Sequence, residues 1–132
     1  TYSPMWQLPA VEQAPEPAAE NVRTAMKFID AKDGTKGFYA LGTFSILTDF
    51  AAILNNAKVT EFTPANVLAA LKGATDYQSF IGPKLNCGKA TSPNCTTEML
   101  LFDVVAEGKT EAQTGGFITP LPAVLQNIPG AV

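Results

Sequence analysis

The segment from Phe38 to Ala57, FYALGTFSILTDFAAILNNA, constrains the chain most: twenty residues carry one charge, Asp49. A short polar stretch follows it, then the sharply punctuated FTPANVLAALKG. A nearly uncharged run of about 18 or more residues is long enough to consider as a membrane span. Asp49 lies in its middle, Gly42, Thr43, Ser45 and Thr48 stand on nearby turns, and no Lys or Arg cluster flanks either end. A topology signal would need that cluster. The run therefore reads as a helix covered on most of its sides inside a water-soluble domain.

The surrounding segments fit one domain of 132 residues, 46% hydrophobic and 16% charged, which is ordinary globular composition. Thr1 to Pro17 holds four prolines and is expected to be an extended or strand-like start followed by a loop. AAENVRTAMKFIDAKDG then places Val22, Ala25, Met26 and Ile29 at helical spacing, with Glu20 in the first turn, Lys32 in the last and Gly34 just beyond, a surface helix. The helix after the apolar run has its own signals: Thr63 as N-cap, Pro64 at the first helical position, Phe62 and Val67 placed for a hydrophobic staple, and Gly73 as the stop. Val67, Leu68 and Leu71 form its expected inner face. FIGPKL and EMLLFDVVAEG read as two short strands, the second ending at the turn-prone Glu107-Gly108-Lys109. The tail from Thr110 to Val132, with Gly115, Gly116 and three prolines, is expected to be an irregular strap.

A net charge of −3, with nine Lys and Arg scattered singly, makes no basic stripe, so nucleic acid is not an expected partner. The chain has no His, so the usual proton shuttle near neutral pH is missing. The carboxylates of Glu12, Glu16, Glu20, Asp30 and Asp33 read as solvated surface charges. Asp49 differs. In an apolar helix it is either a structural carboxylate satisfied by nearby Thr or backbone groups, or it faces water. Gly115-Gly116 lacks the Lys and Ser or Thr of a phosphate loop. Cys87 has no visible base to activate it. No enzyme, cofactor or metal is expected; zinc in particular lacks both His and a second Cys pair.

Cys87 and Cys95 sit in NCGKATSPNCTT, where Gly88, Ser92, Pro93 and Asn94 favour a turn that brings them together. A local disulfide is the leading reading, and two unpaired thiols in a reducing compartment the other. Asn94-Cys95-Thr96 also matches a glycosylation acceptor, a pattern that matters only in a eukaryotic secreted protein. Thr1 is preceded by no positively charged and apolar leader, so a targeting segment is expected to have been removed or to lie outside this sequence.

The order of these elements (a Pro-rich strand exit, a surface helix, GFYALGTFSILTDFAAILNNA, TPANVLAALKG, IGP opening a strand, and MLLFDVVAEGK as the last) resembles the C-terminal third of the type I periplasmic solute-binding proteins of ABC importers, in particular the branched-chain amino acid group. The resemblance covers roughly Thr1 to Lys109. It implies an α/β fold: the C-terminal part of a two-lobed, doubly wound structure, about three helices plus a few short strands, whose lobes close on a small solute. Residues 1–109 would be that segment and 110–132 the tail. Whole members are more than twice as long, so the chain would be a piece of one, without most of the pocket. The start of the apolar helix approaches the cleft in the family, which makes Tyr39 and Leu41 the implied solute-binding wall, against plain core packing for both. The insertion NCGKATSPNC and the long tail depart from the family pattern and are compatible with a Gram-positive or actinobacterial member.

The implied function is the extracytoplasmic solute-binding component of an importer. It would take an amino acid or related carboxylate and meet an ABC permease through the full-length protein. The location would be periplasmic, extracellular or cell-surface lipoprotein, with a membrane contact only through a lipid anchor outside the chain. The alternatives are a ligand-sensing receptor domain of the same fold and a small secreted structural or interaction module. Alone, the chain would expose apolar surface and self-associate.

Overall fold

The computed structural model describes residues 2–4, 14–28, 38–88, 95–106 and 109–119. In chain order they form β1 (Tyr2–Pro4), α1 (Ala18–Phe28), α2 (Phe38–Asn56), α3 (Pro64–Lys72), β2 (Tyr77–Gln78), β3 (Lys84–Leu85), β4 (Met99–Ala106) and β5 (Lys109–Ile118). Mixed helices and short strands, an α/β composition, follow the expected class. Every strand pair among the described residues is antiparallel.

The helix α1 begins at its prolines, where the Ala18 N–H donates to the Pro15 carbonyl at 3.0 Å and Asn21 to Pro17 at 3.0 Å. Of the expected face Val22 and Ala25 are buried and Met26 is partly buried against them, with Ala18 buried one turn earlier. The expected Ile29, Lys32 and Gly34 lie outside the described residues.

Its neighbour α2 spans the apolar run, about 28 Å at 1.5 Å per residue. Leu41 and Ser45 turn inward at its start, and Ile53 and Leu54 at its end. The expectation that most sides are covered is corrected here. Ile46 is 69% and Leu47 61% exposed, and Phe50 lies on the same stripe. Residues 43, 46, 47, 50 and 51 share one helical face, and no described element packs there. The end of α2 is closed by a paired motif: Lys58 N–H donates to Asn55 O and Val59 N–H to Leu54 O. Lys58 is left-handed at φ 54°, and Val59 packs on the cluster containing Leu54. This is the Schellman closure, with Lys58 where glycine usually stands.

Helix α3 has the expected caps. Thr63 accepts from the Asn66 N–H at 3.2 Å, Pro64 opens the first turn, and Gly73 follows the last. The inner face is rotated from the expectation: Ala70 and Ala74 are buried beside Ile53 and Leu54, with Val67 and Leu71 at the margin. Leu68 is exposed, and Phe62 at 72% exposure buries little as a staple. Small side chains at Ala70 and Ala74 let α3 approach α2 closely, and that contact sets the rotation.

FIGPKL is a second correction. Only Lys84–Leu85 is strand, paired with Tyr77–Gln78 as a small hairpin, and Phe80 to Pro83 makes its turn. A proline in that turn cannot donate to a ladder. β4 matches the expected last strand, but the tail also begins as strand: β5 pairs antiparallel with β4 from Ala106↔Lys109 to Met99↔Ile118. The irregular strap is therefore corrected for residues 110–118, since β4 offers an edge whose backbone groups need partners. Glu107, Gly108 and residues 120–132 lie outside the described residues. The ladder breaks between Leu100 and Phe102. In that break Gly116 at φ 73° passes Pro15 so closely that a Cβ would sit 2.5 Å from the proline Cγ.

The sheet order is β1-β4-β5. It meets the helices through Leu100 and Phe117 packed on Ala14 and Ala18. A second cluster joins α1 to α2 through Val22, Ala25 and Leu41, with Met26, Phe44, Phe80 and Ile81 against it, and a third joins α2 to α3. Chain entry through β1 and exit through β4 thus run side by side, Tyr2↔Asp103 to Pro4↔Leu101.

Candidate functional site

The most connected polar group of the helical layer is Asp49. Its Oδ1 accepts from the Tyr77 hydroxyl at 3.0 Å and from the Phe80 N–H at 2.8 Å, and its Oδ2 accepts from the Ser79 hydroxyl at 2.7 Å. The structural reading of this carboxylate holds, though its partners come from 28 to 31 residues away instead of from neighbouring threonines. Thr48 instead turns its hydroxyl back to the Phe44 carbonyl at 2.8 Å. Ser79 also accepts from the Gly82 N–H at 3.2 Å. Ser79, 7% exposed and held by both bonds, braces the hairpin against α2. Burial raises the Tyr77 phenol, and the hydrogen bond and charge of Asp49 add to it, so that its pKa is pushed up to about 12.

The hairpin held by Asp49 forms one side of an open hollow of about 780 Å³. The end of α2 and the outer edge of α3 make the other sides. Ile53, Ala70 and Ala74 lie at its floor, and Lys58, Asp76 and Tyr77 at its rim. Lys58 and Asp76 are the positive-φ non-glycine residues of the described chain, at 54° and 50°. Both line this one hollow, and residues in such backbone regions concentrate at functional sites. The Asp76 carboxylate pairs with Lys84 at 2.8 Å, and the Asp76 N–H donates to the Asn86 Oδ1 at 2.8 Å. Lys58 has no acidic partner among the described residues.

Cys87 and Cys95 are joined by a disulfide, as the leading sequence reading expects. Cys87 packs on the α2–α3 cluster, and its N–H donates to the Ala74 carbonyl at 2.8 Å, while Asn86 N–H donates to the Cys95 carbonyl at 2.7 Å. Gly88 follows at φ 86°, against the Lys72 carbonyl. Asn94 of the glycosylation pattern lies outside the described residues.

Of the two implied wall residues, Leu41 is 2% exposed and packed between α1 and α2. It lies about 18 Å along the helix from Ile53 and does not line the hollow. Tyr39 falls in the first turn of α2, with its side chain outside what is described. Leu41 is thus core packing, away from the hollow. Sequence reasoning missed Lys58, Asp76, Tyr77 and Ser79. An available signal for Lys58 was an apolar Val59 directly after a helix ending in Asn55-Asn56, the pattern of a Schellman closure.

Among the described residues no group of three His, Cys, Asp or Glu side chains could hold a metal ion, and no helix is long and apolar enough to cross a membrane. Compared with protein-family models, with curated proteins and with solved structures, the chain matches none of them.

Proposed function

We propose that this chain is part of the extracytoplasmic solute-binding protein of an ABC importer, of the type I periplasmic kind that its sequence resembles. It binds and does not catalyse, and its solute is an amino acid or related small carboxylate. The observation that carries the reading is the pairing of β1 with β4: the chain enters the helical layer and leaves it on adjacent strands. In this reading the two adjacent strands belong to the hinge of a two-lobed fold, whose closure is taken up at element ends. The open face of α2, with Ile46, Leu47 and Phe50, is the surface that further elements of a larger lobe would cover. The disulfide suits an oxidising, extracytoplasmic compartment. In this reading the cleft lies at the Tyr39 end of α2, opposite the hollow.

Titration calorimetry with a panel of amino acids, run on the chain and on the product of its full reading frame, tests the proposal. The full product is expected to bind at least one amino acid with micromolar Kd, and the chain alone none, because one wall leaves the solute's charged groups in water. Light scattering is expected to show the chain self-associating through its open apolar face. A monomeric chain that binds at micromolar Kd, or a full product that binds nothing in the panel, would overturn it.

A further inference from the structure

We propose that the Cys87–Cys95 disulfide is a reducible clasp that fastens the three-stranded sheet to the helical layer and, through Asn86, steadies one wall of the hollow. The clasp is independent of what the protein binds.

Among the described residues one small cluster joins the sheet to the helical layer. That cluster sets Leu100 and Phe117 against Ala18 of α1 and Ala14 just before it, and two alanines offer small apolar area. By contrast Cys87 belongs to the helical layer, packed among Ile53, Leu54, Ala70 and Ala74. Cys95 lies only four residues before Met99, the first residue of β4. With the disulfide closed, the path from the helical core to the sheet is one covalent bridge and that short lead. When it is open, the path is the whole stretch from Cys87 to Met99.

Two hydrogen bonds couple the clasp to the hollow. The Asn86 N–H is held by the Cys95 carbonyl at 2.7 Å, and the Asn86 side chain in turn holds the Asp76 N–H at 2.8 Å. Asp76 stands at the rim in a left-handed conformation, which persists only while its surroundings impose it. Freeing Cys95 removes the first bond outright and loosens the second. The Cys87 N–H behaves differently, because its acceptor, the Ala74 carbonyl, belongs to the packed core and does not depend on Cys95.

Both sulfur-bearing residues are half-buried, so a dithiol can reach them. Its thiolate attacks one sulfur, the Cys87–Cys95 bond breaks and a mixed disulfide forms; the second thiol of the dithiol then closes on the first. Two electrons and two protons pass to the chain, leaving two thiols, and the dithiol leaves as a disulfide.

Amide hydrogen exchange on the whole chain, before and after treatment with dithiothreitol, tests the clasp. The Asn86 amide is expected to exchange on the order of tenfold faster on reduction, the factor that loss of one hydrogen bond confers. The Asp76 amide should follow by a smaller factor. The Cys87, Ala57 and Val67 amides, in the core and the helices, should change less than roughly threefold, as expected for a local opening. The doubly substituted Cys87→Ser/Cys95→Ser chain should show the reduced pattern without reductant and keep its helical circular dichroism. Exchange that rises equally at all these amides, or helical signal lost in the double variant, makes the disulfide a global staple and overturns the proposal. No change at Asn86 overturns it equally.

Discussion

Replacing Asp49 by alanine tests how the helical layer is held together. The carboxylate is the acceptor for three donors of the 77–80 segment: the Tyr77 hydroxyl, the Ser79 hydroxyl and the Phe80 N–H. A hydrogen bond to a charged acceptor contributes about 1.5 to 3 kcal/mol, and a buried donor left without a partner costs about 1 to 3 kcal/mol. The three do not add. Tyr77 is half-buried and can turn to water, whereas Ser79 at 7% exposure cannot. The expected loss for Asp49→Ala is therefore about 3 kcal/mol, carried mostly by Ser79 and Phe80. With a urea slope of about 2 kcal/mol/M this lowers the midpoint by roughly 1.5 M. Asp49→Asn keeps one acceptor oxygen and should lose about half as much. A double-mutant cycle with Ser79→Ala should give a coupling of at least about 1 kcal/mol. The phenol of Tyr77 supplies a second readout. Its folded value, about 12, lies above the ordinary 10.0. The stability linked to it is therefore full below pH 10 and is lost as pH rises through 12. Asp49→Asn removes the charge and should bring the phenol partway back, read by phenolate absorbance with Tyr2 and Tyr39 replaced by Phe. A midpoint shift for Asp49→Ala equivalent to less than about 1 kcal/mol, or an unmoved phenol titration, would refute the bracing role.

Thr63→Ala, which removes the N-cap of α3, should cost about 1 kcal/mol, and Leu100→Ala, at a side chain with no exposed surface, about 2 to 5 kcal/mol; urea midpoints in that order support the packing, and a reversed order refutes it. Gly88→Ala forces a Cβ against the Lys72 carbonyl oxygen at a φ of 86°, so a loss of about 2 to 4 kcal/mol is expected by thermal unfolding. Lys58→Gly relieves the left-handed strain at the end of α2 and should stabilise by about 1 kcal/mol; a destabilised variant would mean that the lysine side chain makes an interaction of its own.

Helix α3 was readable from the sequence because its signals are local: a cap, a proline and a stop lie within eleven residues of one another. The limits of α2 were readable from the extent of its apolar run. Its exposed stripe was not, since an apolar run states what could be buried but not which neighbours are there to cover it. The partners of Asp49 were unreadable because they arrive from a hairpin about thirty residues on, and a lone carboxylate carries no mark of its distant donors. β5 was hidden by Gly115-Gly116 and a polar composition that lacks alternation. What makes it a strand is the free edge of β4, a tertiary cause. The disulfide was legible from turn residues between the cysteines; the two strained residues of the hollow were not, because Lys and Asp carry no preference that announces a left-handed backbone as glycine does.

The register Tyr2↔Asp103 also has a consequence for how the molecule is made. β1 leaves the ribosome before its partner, which follows roughly a hundred residues later, about 5 to 20 s at ordinary elongation rates. The helices between them rely on contacts closer in sequence and can assemble during that interval. Formation of the sheet is the high-contact-order step and comes last. Until then β1 is an unclaimed edge, and its shortness, three residues, limits what it can pair with while it waits.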